Sequence, residues 1–103
     1  MGYKIFITKD ADNDLDEIIS YIVNTLNNPI AAADFLNKLE DGYKSVATNP
    51  EMFAYCTDKR LRLSGYRKFL VKNYIVFYRT DKENNTVYIM RIIYAGRDYE
   101  NLI

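Results

Sequence analysis

Hydrophobic and polar positions alternate over residues 3–8, and this period of two predicts a first β-strand with Tyr3, Ile5 and Ile7 on one face. The period then changes to that of a helix. An apolar stripe follows an acid-rich start, and it consists of Leu15, Ile18, Ile19, Ile22, Val23 and Leu26. The early carboxylates stabilise the positive end of a helix dipole. We therefore interpret them as a helix start and a solvated helix face.

A second helix is predicted from Pro29 to about Ala47. The preceding Asn27-Asn28 interrupts the first helix, and proline suits the opening position of the next one. The second apolar stripe consists of Ala32, Phe35, Leu36, Leu39, Tyr43 and Val46. Because the connection is short, the two helices should pack antiparallel as a hairpin.

Three strands are predicted in the last third of the chain. Residues 51–65 show no clear period and predict a loop with room for one helical turn. From Tyr66 the period is again two, with Arg67, Phe69 and Val71 alternating with Lys68, Leu70 and Lys72. The next strands, 74–79 and 86–94, flank a polar turn. The order predicts an α+β fold, with an N-terminal strand, an antiparallel helix hairpin packed on one face of the sheet, and a three-stranded antiparallel meander. We expect one domain over residues 1–103.

The formal net charge of zero hides a division along the chain. Residues 1–58 hold four Lys/Arg against ten Asp/Glu, whereas residues 59–103 hold ten Lys/Arg against four Asp/Glu. Such a polarity predicts an anionic partner for the C-terminal half, because the summed field of a protein acts on encounter and binding.

Several classes of chemistry are excluded by composition. The chain has no histidine, which removes Ser-His-Asp and Cys-His pairs and Cys/His zinc sites. The acidic positions Asp12, Asp14 and Asp16 lack the glycine and distal glutamate of a calcium loop, so no metal or cofactor is expected. The lone Cys56, the lack of a signal-peptide pattern and the lack of a long apolar run predict a cytoplasmic protein without a membrane segment.

A family resemblance rests on the strands. The run Tyr66-Arg-Lys-Phe-Leu-Val-Lys-Asn-Tyr-Ile-Val-Phe-Tyr-Arg79, the run Arg91-Ile-Ile-Tyr-Ala-Gly-Arg-Asp98 and the Asn-Pro at 49–50 resemble the RelE/ParE superfamily of bacterial toxins from type II toxin–antitoxin modules. The resemblance covers essentially the whole chain. It implies a growth-arresting toxin, related to plasmid stabilisation, that is neutralised by a cognate antitoxin.

The resemblance implies two alternative targets. RelE-like members cleave mRNA on the ribosome without a metal, and for that activity Arg67 and Arg97 would contact phosphate while Tyr94 and Tyr99 are the nearby phenols. ParE-like members inhibit DNA gyrase and lack the nuclease residues. The basic strand, the Tyr-x-x-x-Tyr-Arg ending at Arg79 and the final Gly-Arg-Asp resemble the ParE-like pattern more closely. An ordinary nucleic-acid-binding module is a third reading.

Candidate contact residues for the target or the antitoxin come from two groups. The first group contains the cations Arg67, Lys68, Lys72, Arg79, Arg91 and Arg97, of which the first three are predicted to form an exposed row on one strand. The second group contains the apolar shoulders of the helices, Phe35, Leu36 and Tyr43. For Arg79 and Arg91 the alternative is a structural role, in which they pair across strands with Asp81, Asp98 or Glu100.

Overall fold

The structure, a computed structural model, describes residues 2–103. Its elements are β1 (Lys4–Ile7), α1 (Lys9–Ser20) with a π-helical turn at Tyr21–Thr25, α2 (Pro29–Thr48), α3 (Lys59–Leu63), β2 (Arg67–Val71), β3 (Tyr74–Asp81) and β4 (Thr86–Tyr94), followed by a short 3-10 turn at Tyr99–Asn101. The strands form one sheet in the order β1-β4-β3-β2. The predicted α+β fold is therefore confirmed, with the last three strands antiparallel and β1 parallel to β4.

Both long helices begin at side-chain caps. The hydroxyl of Thr8 accepts a hydrogen bond from the backbone N–H of Ala11 at 3.2 Å and donates to the carbonyl of Ile89 at 2.8 Å. The side chain of Asn28 accepts from the N–H of Ala31 at 3.1 Å, with Pro29 at the first helical position. Such caps satisfy the free N–H groups of a helix start. Thr8 also ties the start of α1 to β4, and this fixes the helix hairpin over the sheet.

The helix hairpin covers one face of the sheet and forms the first hydrophobic core. Phe35 and Leu39 of α2 pack there with Val76, Tyr78 and other buried strand residues. Two members of the predicted helix stripes lie outside this core. Leu26 is 54% exposed because it follows the π-helical turn, and Leu36 is 39% exposed because the buried line of α2 runs through its neighbour Phe35.

The opposite face of the sheet carries a second, smaller core that the sequence did not predict. Here Cys56, Leu61, Ile75, Phe77 and Ile93 are buried together, with Tyr66, Tyr99, Leu102 and Ile103 packed against them. The helical turn allowed for within residues 51–65 is α3, which begins at the side-chain cap of Asp58. Thus α3 and the C-terminal turn cover part of the second face. Within residues 2–103, no helix combines the length and the apolar character needed to cross a membrane.

Candidate functional site

The uncovered part of the second face forms a cleft of about 750 Å³. Its floor consists of Phe6, Tyr88 and Met90, and the rings of Phe6 and Tyr88 meet edge to face at 5.5 Å. Two of the predicted cations, Arg67 and Arg79, line its wall. Arg67 is opposite Tyr78 of the first core in the strand register, so it reaches the cleft from the first face, at the outer edge of β2. Aromatic faces and guanidinium groups thus meet in one concavity of mixed character.

Arg67 is held by contacts within the chain. Its guanidinium lies 3.8 Å from the ring centroid of Tyr55, donates to the carbonyl of Phe53 at 2.6 Å and lies 3.9 Å from a carboxylate oxygen of Glu51. The Arg67 side chain is only 12% exposed. These contacts orient Arg67 at the edge of the cleft.

The predicted exposed row of Arg67, Lys68 and Lys72 is therefore wrong. Successive residues of a strand point to opposite faces, so Lys68 projects from the face opposite to Arg67. Lys72 lies beyond the strand, in the turn between β2 and β3 with a φ of 54°, and its ammonium group is 2.8 Å from Asp34 of α2. The hydrogen bond from Lys72 lowers the pKa of Asp34.

Arg79 has a different partner from the carboxylates considered for it. Its guanidinium lies over the ring of Tyr66, 5.6 Å from the centroid. Asp81 instead accepts two hydrogen bonds from Asn84, at 3.2 Å and 2.7 Å, which lower its pKa. Within residues 2–103 no carboxylate oxygen lies within 4.0 Å of Arg79, so its charge is directed at the cleft and at solvent.

Arg91 has the structural role considered for it, but with another partner. Its guanidinium donates to both oxygens of Asp14 in α1, at 2.7 Å and 3.1 Å, and to the carbonyl of Leu102 at 2.7 Å. Asp14 also accepts from the backbone N–H of Ile92 at 3.0 Å. The predicted pairing with Asp81, Asp98 or Glu100 is wrong. The last residue of β1, Ile7, lies opposite Ile89 of β4 in the register. The chain then enters α1, which lies beside β4 and brings Asp14 to Arg91. The hydrogen bonds to Asp14 raise the pKa of Arg91.

A second cleft, of about 690 Å³, lies between α1 and the end of β4. Tyr21, Tyr74 and Tyr94 line it together with Arg97, and the rings of Tyr74 and Tyr94 meet edge to face at 5.8 Å. Burial raises the pKa of Tyr74, and the neighbouring phenols of Tyr21 and Tyr94 add to this shift. Gly96 lets the chain pass close to Tyr94, since a Cβ at Gly96 would be 2.5 Å from that ring.

The four residues suggested for RNA cleavage are not brought together. Arg67 lines the first cleft, whereas Tyr94 and Arg97 line the second. The ring of Tyr99 packs on Phe77 at 5.3 Å, and its hydroxyl accepts a hydrogen bond from Lys68 at 3.4 Å. In this structure the four side chains belong to three separate environments.

The predicted helix contacts differ in their accessibility. Phe35 is 2% exposed and belongs to the first core, so it is not available on the surface described here. Tyr43 is partly buried, its hydroxyl has no partner among the described residues, and burial raises its pKa. Leu36 is the member of this group that lies most open to solvent.

Sequence reasoning missed the cations of α3 as candidates. Residues 59–79 contain seven Lys/Arg and no carboxylate. Three of these cations, Lys59, Arg60 and Arg62, are exposed on α3. The absence of any carboxylate from residues 59–79 was the signal for a basic surface. The sequence could not place the first part of this run on the fold, because residues 51–65 were predicted to form a loop.

A family model described as the ParE toxin of type II toxin–antitoxin system, parDE, matches residues 5–99. A chromosomal ParDE system from P. aeruginosa is similar in structure, with 19% identity over 91% of this chain and 97% of that chain and a TM-score of 0.72.

Two RelE-type structures are also similar. The RelBE2 toxin–antitoxin complex from Mycobacterium tuberculosis matches with 19% identity over 91% of this chain and 99% of that chain, at a TM-score of 0.62. A mutant E. coli RelE toxin in the free state matches with 13% identity over 99% and 93%, at a TM-score of 0.67. At these low identities, the TM-scores show a shared fold. No curated protein sequence matches the chain.

Proposed function

We infer that this chain, which belongs to the ParE toxin family of type II toxin–antitoxin systems, arrests growth by inhibiting DNA gyrase and is neutralised by a cognate antitoxin. The family match spans residues 5–99, which is nearly the whole sheet and both long helices. Similar structures include a ParDE system and RelBE complexes, which supports an antitoxin as the partner.

The observation that favours gyrase over mRNA is the separation of Arg67, Arg97, Tyr94 and Tyr99. RNA cleavage needs a general base within hydrogen-bond reach of the attacking hydroxyl and cations directed at the same phosphate. Here Arg67 is engaged by Tyr55, Phe53 and Glu51, on a different cleft from Tyr94 and Arg97. A toxin that acts by binding does not need these groups to converge, and its contact surface can extend over several elements.

Two assays run in parallel test this proposal. In the first, purified toxin is added to DNA gyrase and relaxed plasmid, and we expect loss of supercoiling that the cognate antitoxin restores. In the second, toxin is added to a reconstituted translation system with and without ribosomes, and we expect intact mRNA. Unimpaired supercoiling together with ribosome-dependent cuts in the mRNA would overturn the gyrase proposal in favour of RelE-like cleavage. The variant Arg67→Ala would then be expected to abolish the cuts.

A further inference from the structure

The basic run of residues 59–79 forms a surface of its own on the second face. Leu61 of α3 packs in the second core with Ile75 and Phe77 of β3. In the strand register, Ile75 is opposite Leu70 and Phe77 is opposite Lys68. Residues directly opposite each other on neighbouring strands project from the same face. Lys68 and Leu70 therefore share a face with α3, and we call this surface the basic strip, made of Lys59, Arg60, Arg62, Leu63, Lys68 and Leu70.

The charge of the basic strip is not neutralised within the chain. Of the seven cations in residues 59–79, only Arg67 and Lys72 have a carboxylate within 4.0 Å in the described part of the chain. The other contacts are with neutral groups, since Arg60 donates to the carbonyl of Glu100 and Arg62 to that of Thr57. Lys68 donates to the hydroxyl of Tyr99. An uncompensated group of cations attracts an anionic partner.

Apolar side chains lie among these cations. Leu63 is 75% exposed and Leu70 is 68% exposed, so the basic strip presents apolar surface together with its cations. Phosphate contacts require cations and hydrogen-bond donors, and they gain nothing from exposed leucines. A protein segment that carries both carboxylates and apolar side chains would use both features. The composition of the basic strip thus favours an acidic and partly apolar peptide over a nucleic acid.

The backbone beside the strip is also open. β2 is the last strand of the sheet, and on its outer side the isolated bridge between Tyr55 and Arg67 is its contact with another extended residue. From Phe69 to Val71 no strand of the described chain lies on that side. An exposed strand edge can bind an extended peptide through main-chain hydrogen bonds.

We propose that the basic strip is the docking surface for an acidic, partly apolar segment of the antitoxin, which lies extended along β2. Its carboxylates contact Lys59, Arg62 and Lys68, and its apolar side chains cover Leu63 and Leu70. This inference depends on the proposed function, because it takes the antitoxin as the partner. It moves the electrostatic contact away from Arg67 and Arg97, which the sequence alone had suggested.

The test compares two charge reversals of equal size. The toxin carries Lys59→Glu and Arg62→Glu, and the matched control carries Lys4→Glu and Lys44→Glu, two exposed lysines outside the strip that form no ion pair among residues 2–103. Each is titrated with the purified product of the gene adjacent to the toxin gene, at low and at high salt. Circular dichroism melting establishes that each variant is folded.

The strip variant should bind the antitoxin about tenfold to hundredfold more weakly than wild type at low salt, with a smaller salt dependence. The control variant should bind like wild type. Leu70→Ser should weaken binding about tenfold with the salt dependence unchanged, because it removes apolar contact only. Equal affinity of strip and control variants would overturn the docking proposal while leaving the antitoxin partnership intact.

Two other results are informative. A wild-type toxin that does not bind the neighbouring gene product at all would overturn the proposed antitoxin partnership, and the docking proposal with it. A DNA duplex that binds wild-type toxin, is displaced by salt and no longer binds the strip variant would show that the strip contacts phosphate. That result would overturn the choice of a peptide as its occupant.

Discussion

Replacing Asp14 with asparagine tests whether Arg91 belongs to the scaffold or to a binding surface. The two side chains are 13% and 25% exposed, and two hydrogen bonds join them. Asparagine keeps the shape but removes the charge, so Arg91 would remain partly buried without its counter-ion. Breaking a fully buried pair costs about 3–5 kcal/mol. Because Arg91 retains some contact with water, we expect a loss of about 2–3 kcal/mol in the free energy of unfolding.

Urea unfolding followed by circular dichroism measures this loss, and Arg91→Met completes a double-mutant cycle. Either single change leaves an unpaired charge, so the double variant should be more stable than the sum of the two losses predicts, by about 1 kcal/mol or more. Arg97→Met is the control, since Arg97 is exposed and makes no ion pair in the described chain, and it should change stability by less than about 0.5 kcal/mol.

Two results would refute this reasoning. If Asp14→Asn were as stable as the Arg97 control, the Asp14–Arg91 contact would contribute nothing to the fold. If Arg91→Met were folded but lost antitoxin binding, Arg91 would act at an interface and not in the scaffold. The free toxin should instead lose stability, and antitoxin affinity should change only as far as the folded fraction changes.

Two further predictions concern the first core. Gly42→Ala should lower the free energy of unfolding by about 1–2 kcal/mol, because the new Cβ would collide with the ring of Phe69, and this outweighs the helix preference of alanine. Urea unfolding measures the change, with Asn37→Ala on the exposed face of the same helix as the control. A Gly42→Ala variant more stable than wild type would contradict the prediction. Burial raises the pKa of Tyr78 from 10.0 to about 12, so its neutral form is favoured in the folded state and stability should fall as pH rises from about 10 to about 12. Tyr78→Phe loses a hydrogen bond to the carbonyl of Pro50, so it should be about 1 kcal/mol less stable than wild type at neutral pH. Above pH 10 its free energy of unfolding should fall less steeply than that of wild type. An equally steep fall in both proteins would show that Tyr78 does not cause the pH dependence.

The fold could be predicted from the sequence because its signals are local. Alternation of period two identified the strands at residues 3–8 and from Tyr66, apolar runs on either side of a polar turn identified the last two strands, and the two apolar stripes identified the helices. Proline at position 29 and the Asn-Pro at 49–50 gave the limits of α2 to within a residue or two. The helix hairpin followed from a short connection. Each of these signals lies within a single helix, strand or connection, so none of them requires knowledge of the tertiary structure.

The partners of the cations could not be predicted in the same way. Arg91 pairs with Asp14 across 77 positions of sequence, and this contact exists only because β1 is parallel to β4 and α1 continues beside the strand. Lys72 leaves the strand by one residue, and that single step moves it from the predicted row to Asp34. A charge on a predicted strand therefore carries little information about function until its nearest carboxylate is known.

The basic strip likewise becomes a candidate only in the structure. The sequence predicted Arg67 and Lys68 as members of one exposed basic row. In the fold, Arg67 is 12% exposed and interacts with Tyr55, Phe53 and Glu51, whereas Lys68 lies on the opposite face, beside an α3 whose cations have no carboxylate partner in the described chain. Intramolecular pairing thus separates cations that stabilise the toxin from cations that remain free to bind an anionic partner. This distinction makes the charge reversal at Lys59 and Arg62 a test of binding, and the change at Asp14 a test of stability.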